Sequence, residues 1–133
     1  MTFKAKFDLK GMDEYLEQIQ QAGLDIDAAA QRALEKGGSI LEKEMERLVP
    51  KDERNLEANI EIDGPHQEGN FSYVEVGVVN ADAEIVIYGN VQEYGSPSKN
   101  IKAQPYIRPS IDGKRNAVMK EVRESLKAEG MVG

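Results

Sequence analysis

The chain has 133 residues, no cysteine and a formal net charge of −7 at pH 7. Disulfides and thiolate metal sites are therefore excluded, and the acidic balance disfavours direct binding to a nucleic-acid backbone or an anionic membrane. The length predicts a single domain over residues 1–133, and the absence of Trp predicts an aliphatic core. No apolar run approaches the ~20 residues that span a bilayer, so we expect a soluble protein with no membrane partner.

The N-terminal third predicts one strand followed by two helices. Thr2 to Leu9 alternates apolar and polar residues, which is typical of a half-buried strand. Met12 to Gln21 has apolar residues three and four apart, which predicts a short helix. Asp25 to Val49 has the same spacing over a longer stretch, with Asp25 or Asp27 available to cap its start and Pro50 to end it.

Two adjacent glycines, Gly37 and Gly38, lie in the middle of the long predicted helix. Each costs roughly 1 kcal/mol relative to alanine in a helix interior. Either the helix kinks there or another element packs very close to it, and we expect close packing.

The middle of the chain predicts an antiparallel hairpin. Leu56 to Asp63 and Phe71 to Val79 alternate as strands, and the stretch Gly64 to Asn70, "GPHQEGN", has the composition of a loop. A turn then leads into a third apolar run, Ile85 to Tyr88. The predicted fold class is α+β, a small antiparallel sheet of three to four strands packed against the long helix and a C-terminal helix.

Few apolar residues occur between Glu93 and Pro105, which predicts a long exposed loop. The last helix is predicted from about Pro109 to Glu129, with Ile111, Val118, Val122 and Leu126 buried. Pro105 and Pro109 restrict the backbone on either side of "YIR", so they determine how the chain enters this helix.

Catalytic chemistry finds no support in the sequence. His66 is the only histidine, it lies in the predicted loop, and no partner at a defined spacing marks a triad or a metal site. The charges of the long helix and of the last helix fit solvated faces. We therefore expect a protein that is not an enzyme, with no cofactor and no metal.

Arg108 is unusual because it lies beside the positive end of the dipole of the last helix, where a cation is unfavourable. A nearby carboxylate would account for it, and Glu93 is the candidate, since Tyr94 and Gly95 next to it restrict that segment. The alternative is that Arg108 points to water.

Four short motifs in order resemble the tail-completion, or head–tail joining, family of long-tailed bacteriophages. They are "LKGM", the Pro50 to Leu56 stretch, Tyr88 with "EYGS", and "PYIRP". The matching positions are Leu9, Lys10, Gly11 and Met12; Pro50 and Leu56; Tyr88, Glu93, Tyr94, Gly95 and Ser96; and Pro105, Tyr106, Ile107, Arg108 and Pro109. The chain departs from the pattern at Glu53-Arg54, where Thr-Gly is common, and at Ser110, where alanine is usual.

The resemblance implies a structural protein of the virion, made in the host cytoplasm. Copies would form a ring, commonly of six, at the head–tail junction, with DNA passing through it without specific binding. Partners would be other copies, a tail-tube or terminator protein and a head-connector or stopper protein, and a free subunit could be monomeric. The candidate interface residues are Glu93, Tyr94, Gly95, Ser96, Tyr106 and Arg108.

Two alternatives stay open. A stopper, adaptor or tail terminator of the same neck has similar size and ring architecture. A small acidic inhibitor domain that binds a basic host protein is a different class, although the charges of this chain alternate in sign and do not form one acidic block.

Overall fold

The computed structural model describes residues 3–9, 11–51, 56–69 and 71–131. In chain order its elements are β1 (Phe3–Asp8), α1 (Asp13–Gln21), α2 (Ile26–Leu48), β2 (Ile60–Glu68), β3 (Phe71–Val78), α3 (Ala83–Tyr94) and α4 (Ile107–Met131). Short 3₁₀ turns at Leu56–Asn59 and Pro97–Lys99 precede β2 and separate α3 from α4. Thr2, Lys10, Glu53, Arg54 and Asn70 lie outside the described residues.

The three strands form one antiparallel sheet in the order β1-β3-β2. Val74, Val76 and Val78 alternate along β3 and are buried on the inner face of the sheet. Ile60 and Ile62 lie opposite Val78 and Val76 on the same face. The α+β class of the prediction is confirmed by this arrangement of sheet and helices.

Helix α2 packs across the inner face of the sheet, and α4 packs on α2. Asp25 caps α2 by accepting a hydrogen bond from the amide of Ala28 at 3.2 Å. The prediction of close packing at the glycine pair is confirmed, since a Cβ at Gly38 would lie 3.3 Å from the Cδ1 atom of Ile62. Val118, Val122 and Leu126 of α4 are buried as predicted, whereas Ile111, also predicted to be buried, is partly buried.

The third apolar run, Ile85 to Tyr88, lies in helix α3, and the described residues form a sheet of three strands, the lower number of the prediction. Two predictions about local structure are wrong. Gly64 to Glu68 continues β2 up to the turn at Gly69, because cross-strand pairing with β3 outweighs the loop-like composition. The strand predicted from Leu56 begins at Ile60, after a 3₁₀ turn.

The segment from Glu93 to Pro105 is also more ordered than the predicted exposed loop. Glu93 and Tyr94 form the end of α3, and Ser96 and Ile101 pair through their backbones around the 3₁₀ turn. Helix α4 begins at Ile107, two residues before the predicted start at Pro109. Among the described residues, no helix is both long enough and apolar enough to cross a membrane.

Candidate functional site

The carboxylate of Glu93 lies at the C-terminal end of α3 and points at the first turn of α4. Its Oε1 atom accepts hydrogen bonds from the amides of Tyr106 and Ile107, both at 2.8 Å, and its Oε2 atom accepts one from the amide of Arg108 at 3.1 Å. Amides at a helix N-terminus have no partner within the helix and carry the positive end of the dipole. Glu93 therefore caps α4 from 13 to 15 residues upstream.

The predicted pair between Glu93 and Arg108 is confirmed. The Nε atom of Arg108 lies 2.9 Å from Oε2 of Glu93, and its Nη2 atom donates to the backbone carbonyl of Glu93 at 2.7 Å. The guanidinium also lies over the ring of Tyr94, 4.9 Å from its centroid. The carboxylate offsets the unfavourable position of Arg108 beside the helix dipole, which explains why an arginine is stable there.

Glu93 is only 1% exposed, yet its environment favours the charged form. Burial alone would raise the pKa of this carboxyl, but the hydrogen bonds from Ile107, Tyr106 and Arg108 together outweigh it and hold the pKa below its usual range. Glu93 is thus a buried carboxylate whose negative charge is stabilised by four donors, one from Tyr106 just before α4 and three from the first two residues of α4.

Gly95 allows the chain to leave α3 in the required direction. Its φ is 76°, in a region that side chains disfavour, and an added Cβ would lie 2.9 Å from both the amide of Ala103 and the carbonyl of Ile101. Next to it, the amide of Gln104 donates to the carbonyl of Gln92 at 2.6 Å. The segment after α3 therefore folds back closely on the last turn of that helix.

Tyr106 fills the space between α3 and α4 and is fully buried. An added Cβ at Gly89 would lie 3.0 Å from the Tyr106 hydroxyl, so the small residue in α3 makes room for the ring. Burial raises the pKa of the Tyr106 hydroxyl well above its usual range. Ser110, where alanine was expected, donates its hydroxyl to the Tyr106 carbonyl at 2.5 Å and so satisfies a buried polar group.

The six candidate interface residues thus converge on one junction, which we call the α3–α4 junction: Glu93, Tyr94, Gly95, Ser96, Tyr106 and Arg108. The side chains of Glu93 and Tyr106 face the interior of the chain, so they affect a neighbour only through the geometry they impose. Tyr94 is 49% exposed and half of the Arg108 side chain is accessible. An interface role stays a prediction for these two residues.

An apolar surface on α3 was not predicted from the sequence. Ile87, Val91 and Tyr94 are spaced four and three residues apart and form one side of the helix, here called the α3 stripe. Ile87 is 62% exposed, and the core takes in Ile85, Val86 and Tyr88 of this helix but not the three stripe residues. The spacing of these residues could have indicated one side of a helix. The pattern is difficult to recognise because α3 also has apolar residues on its other sides.

His66 is also placed differently from the prediction. It lies in β2, with its Nε2 atom 2.9 Å from Oδ2 of Asp63. Asp63, His66 and Glu75 each place one potential ligand atom within 4.8 Å of the others, and all three side chains are half-buried. The sequence gives no sign that Asp63 and Glu75 lie beside His66, because the spacing of the three residues matches no metal-binding motif.

The chain was compared with known proteins at three levels. Residues 10–95, more than half of the chain, match the family model described as "Bacteriophage HK97-gp10, putative tail-component". No curated protein and no solved structure matches the chain. The matched range includes Glu93, Tyr94 and Gly95, whereas "PYIRP" lies beyond it.

Proposed function

We propose that this chain, which belongs to the HK97-gp10-like family of bacteriophage tail components, completes the tail by joining it to the head connector. As a tail component it belongs to the virion. The finer proposal is that copies assemble into a ring at the head–tail junction and that DNA passes through its opening. In this role the protein makes and breaks no covalent bond and needs no cofactor.

The observation that carries the proposal is the α3 stripe. An apolar side chain as exposed as Ile87, in line with the exposed ring of Tyr94, leaves surface that burial against another protein would stabilise by about 25 cal/mol per Å². Ile101, 39% exposed, adds apolar surface just beyond the end of the helix. A protein that works through assembly needs a surface of this kind.

We assign this surface to a second copy of the chain. In a closed ring each contact is heterologous, so the stripe of one subunit meets a different surface of the next subunit. A ring of six copies is the number that the resemblance implies. The other partners are a tail-tube or terminator protein on one side of the ring and a head-connector or stopper protein on the other.

The α3–α4 junction serves this role by fixing the direction of the stripe. Glu93 and Gly89 lie on the opposite side of α3 from Ile87, and their contacts with the start of α4 determine how the helix is rotated. The ring of Tyr94, the last residue of the stripe, lies against the Arg108 guanidinium. The junction therefore presents a preformed surface and lowers the entropy cost of association.

The net charge of −7 is compatible with DNA passing through the ring. A like-charged lumen repels the phosphate backbone, so DNA slides past without specific binding. This part of the proposal rests on charge alone and concerns passage, not recognition.

Electron microscopy of particles from a phage that lacks this gene tests the proposal. We expect DNA-filled heads and complete tails to accumulate separately, and a plasmid copy of the gene to restore whole virions. Empty heads would instead indicate a stopper that retains DNA, and tails of irregular length would indicate a terminator. Either result would contradict the joining role.

A further inference from the structure

We propose that Asp63, His66 and Glu75 form a binding site for one divalent transition-metal ion, such as Zn²⁺, on the outer face of the sheet. The proposal does not depend on the assembly role described above. It replaces the expectation from the sequence that the chain has no metal site.

A bulge in β2 is what brings the three side chains together. Asp63 lies opposite Glu75 and His66 lies opposite Tyr73, so three steps along β2 match two steps along β3. In a regular strand, residues three apart point to opposite faces of the sheet. The extra residue in β2 moves His66 to the same face as Asp63 and Glu75.

That face is the one turned away from the core. The inner face carries Ile62 and Val76, the neighbours of Asp63 and Glu75 in the same ladder. Each ligand side chain is half-buried, so the carboxylates and the imidazole are partly held by their surroundings while solvent reaches them. A metal ion could therefore enter and keep water in its remaining coordination positions.

The separations and ligand types fit a small transition-metal ion. With ligand bonds of about 2.0–2.2 Å, neighbouring ligand atoms lie about 3.0–3.5 Å apart. The 2.9 Å between Nε2 of His66 and Oδ2 of Asp63 is close to this, and the 4.8 Å limit of the cluster requires only a small inward movement. One imidazole with two carboxylates suits Zn²⁺, Co²⁺ or Ni²⁺ better than Mg²⁺ or Ca²⁺, which prefer oxygen ligands alone.

Two neighbouring side chains define the surroundings of the site. The ring of Tyr73 lies 5.3 Å from the ring of His66, which limits how the imidazole can turn. The Nζ atom of Lys6 lies 4.0 Å from the centroid of the Tyr73 ring and 3.4 Å from Oε2 of Glu68.

Isothermal titration calorimetry with ZnCl₂, on protein purified without a histidine tag and treated with a chelator, tests the site. We expect one equivalent of Zn²⁺ to bind, and His66→Ala, Asp63→Asn and Glu75→Gln each to weaken binding by about tenfold or more. The matched control is Glu84→Gln, which removes an exposed carboxylate of α3 outside the cluster and should leave the affinity within about twofold. Circular dichroism of each variant checks that the fold is retained.

A second measurement distinguishes the metal class. Co²⁺ should bind with a visible absorption spectrum that is lost in His66→Ala, whereas Mg²⁺ should not compete with Zn²⁺ at millimolar concentration. The proposal is overturned if no Zn²⁺ binds to folded wild-type protein. It is equally overturned if the three cluster variants bind as the wild type does, because the metal would then be held elsewhere.

Discussion

The two sides of helix α3 differ in both burial and chemistry. One side carries Gly89 and Glu93, which are buried and whose contacts with the start of α4 are close and specific. The other side carries Ile87 and Tyr94, which are exposed, and Val91, which is half-buried. The first side includes residues that stand out in the sequence and fixes the fold, whereas the second has an unremarkable sequence and forms the candidate assembly surface.

The contrast between the two sides of α3 changes the role that we assign to the motifs by which the chain resembles its family. "EYGS" and "PYIRP" look like an interface loop when only the sequence is considered, but their central contact is internal, between Glu93 and the α4 amides. A motif required for the fold can mark a family as clearly as one required for binding. Substitutions on the two sides of α3 should therefore affect different properties.

The largest effect on stability is expected for Glu93→Ala. The change leaves the buried amides of Tyr106 and Ile107 without an acceptor and removes the partner of Arg108. Each buried amide left without an acceptor costs about 1–3 kcal/mol, so the loss in the free energy of unfolding should be about 2–5 kcal/mol. Urea unfolding measures it, and the control Glu84→Ala, at an exposed position of the same helix, should cost less than about 1 kcal/mol. Equal losses in the two variants would refute the capping role.

An exchange of the charges of Glu93 and Arg108 distinguishes the capping of α4 from the ion pair between the two side chains. The double variant Glu93→Arg with Arg108→Glu keeps an opposite-charge pair, but an arginine side chain has no acceptor for the amides of α4. We therefore expect no recovery of stability relative to Glu93→Arg alone. Full recovery would show that the ion pair, and not the capping of α4, dominates at this junction.

Two glycine substitutions test the turn after α3, because we expect one to lower the stability of the protein and the other to raise it. Gly95→Ala introduces a Cβ at 2.9 Å from two backbone atoms at a positive φ, and it should destabilise the protein by about 1–3 kcal/mol. Gly113→Ala is the control, because it lies exposed in α4 with open space around it and should stabilise the protein by up to about 1 kcal/mol. Thermal unfolding of both variants checks the prediction, and a neutral Gly95→Ala would contradict the tight turn.

The pH dependence of stability isolates the charge of Glu93. Its pKa is lower in the folded chain than its ordinary value, so its contribution to stability is present above the pKa of the unfolded chain and is lost as pH falls through the folded value. Wild-type protein should lose more stability than Glu93→Gln when the pH is lowered from about 6 to about 3. Urea unfolding at several pH values measures the difference. Parallel pH profiles would show that the carboxylate is not specially stabilised.

Local patterns in the sequence predicted much of the fold. The observed α2, Ile26–Leu48, lies within the predicted Asp25 to Val49, because capping by Asp25 and the stop at Pro50 are properties of neighbouring residues. The close packing at Gly38 and the partner of Arg108 were also predicted. In each case a residue with a local cost, a helix glycine or a misplaced charge, required compensation by another part of the chain.

The features of the fold and of the candidate site that were not predicted depend on contacts between distant residues, which the sequence pattern does not show. Ile85 to Tyr88 is a run of only four apolar residues, which is too short to show whether the hydrophobic period is that of a strand or that of a helix. The acceptors of the Tyr106 and Ile107 amides depend on where α3 ends, which only the folded chain determines. Asp63 and His66 share a face of the sheet only because of the bulge, and no residue type marks a bulge uniquely.

The smallest effect on stability, and the largest on assembly, is expected for Ile87→Asp. The side chain is 62% exposed, so its replacement removes little buried apolar surface and the free energy of unfolding should change by less than about 1 kcal/mol. In an assembled ring the same carboxylate would be buried without a partner, and virion yield in a complementation assay should fall on the order of a hundredfold or more. Ile87→Leu should keep the yield because the apolar surface remains. Asn116→Asp, which adds the same charge to an exposed position of α4, should also leave it unchanged. If Ile87→Asp complements as well as the wild type, the stripe is not an interface and the contrast between the two sides of α3 has no functional meaning.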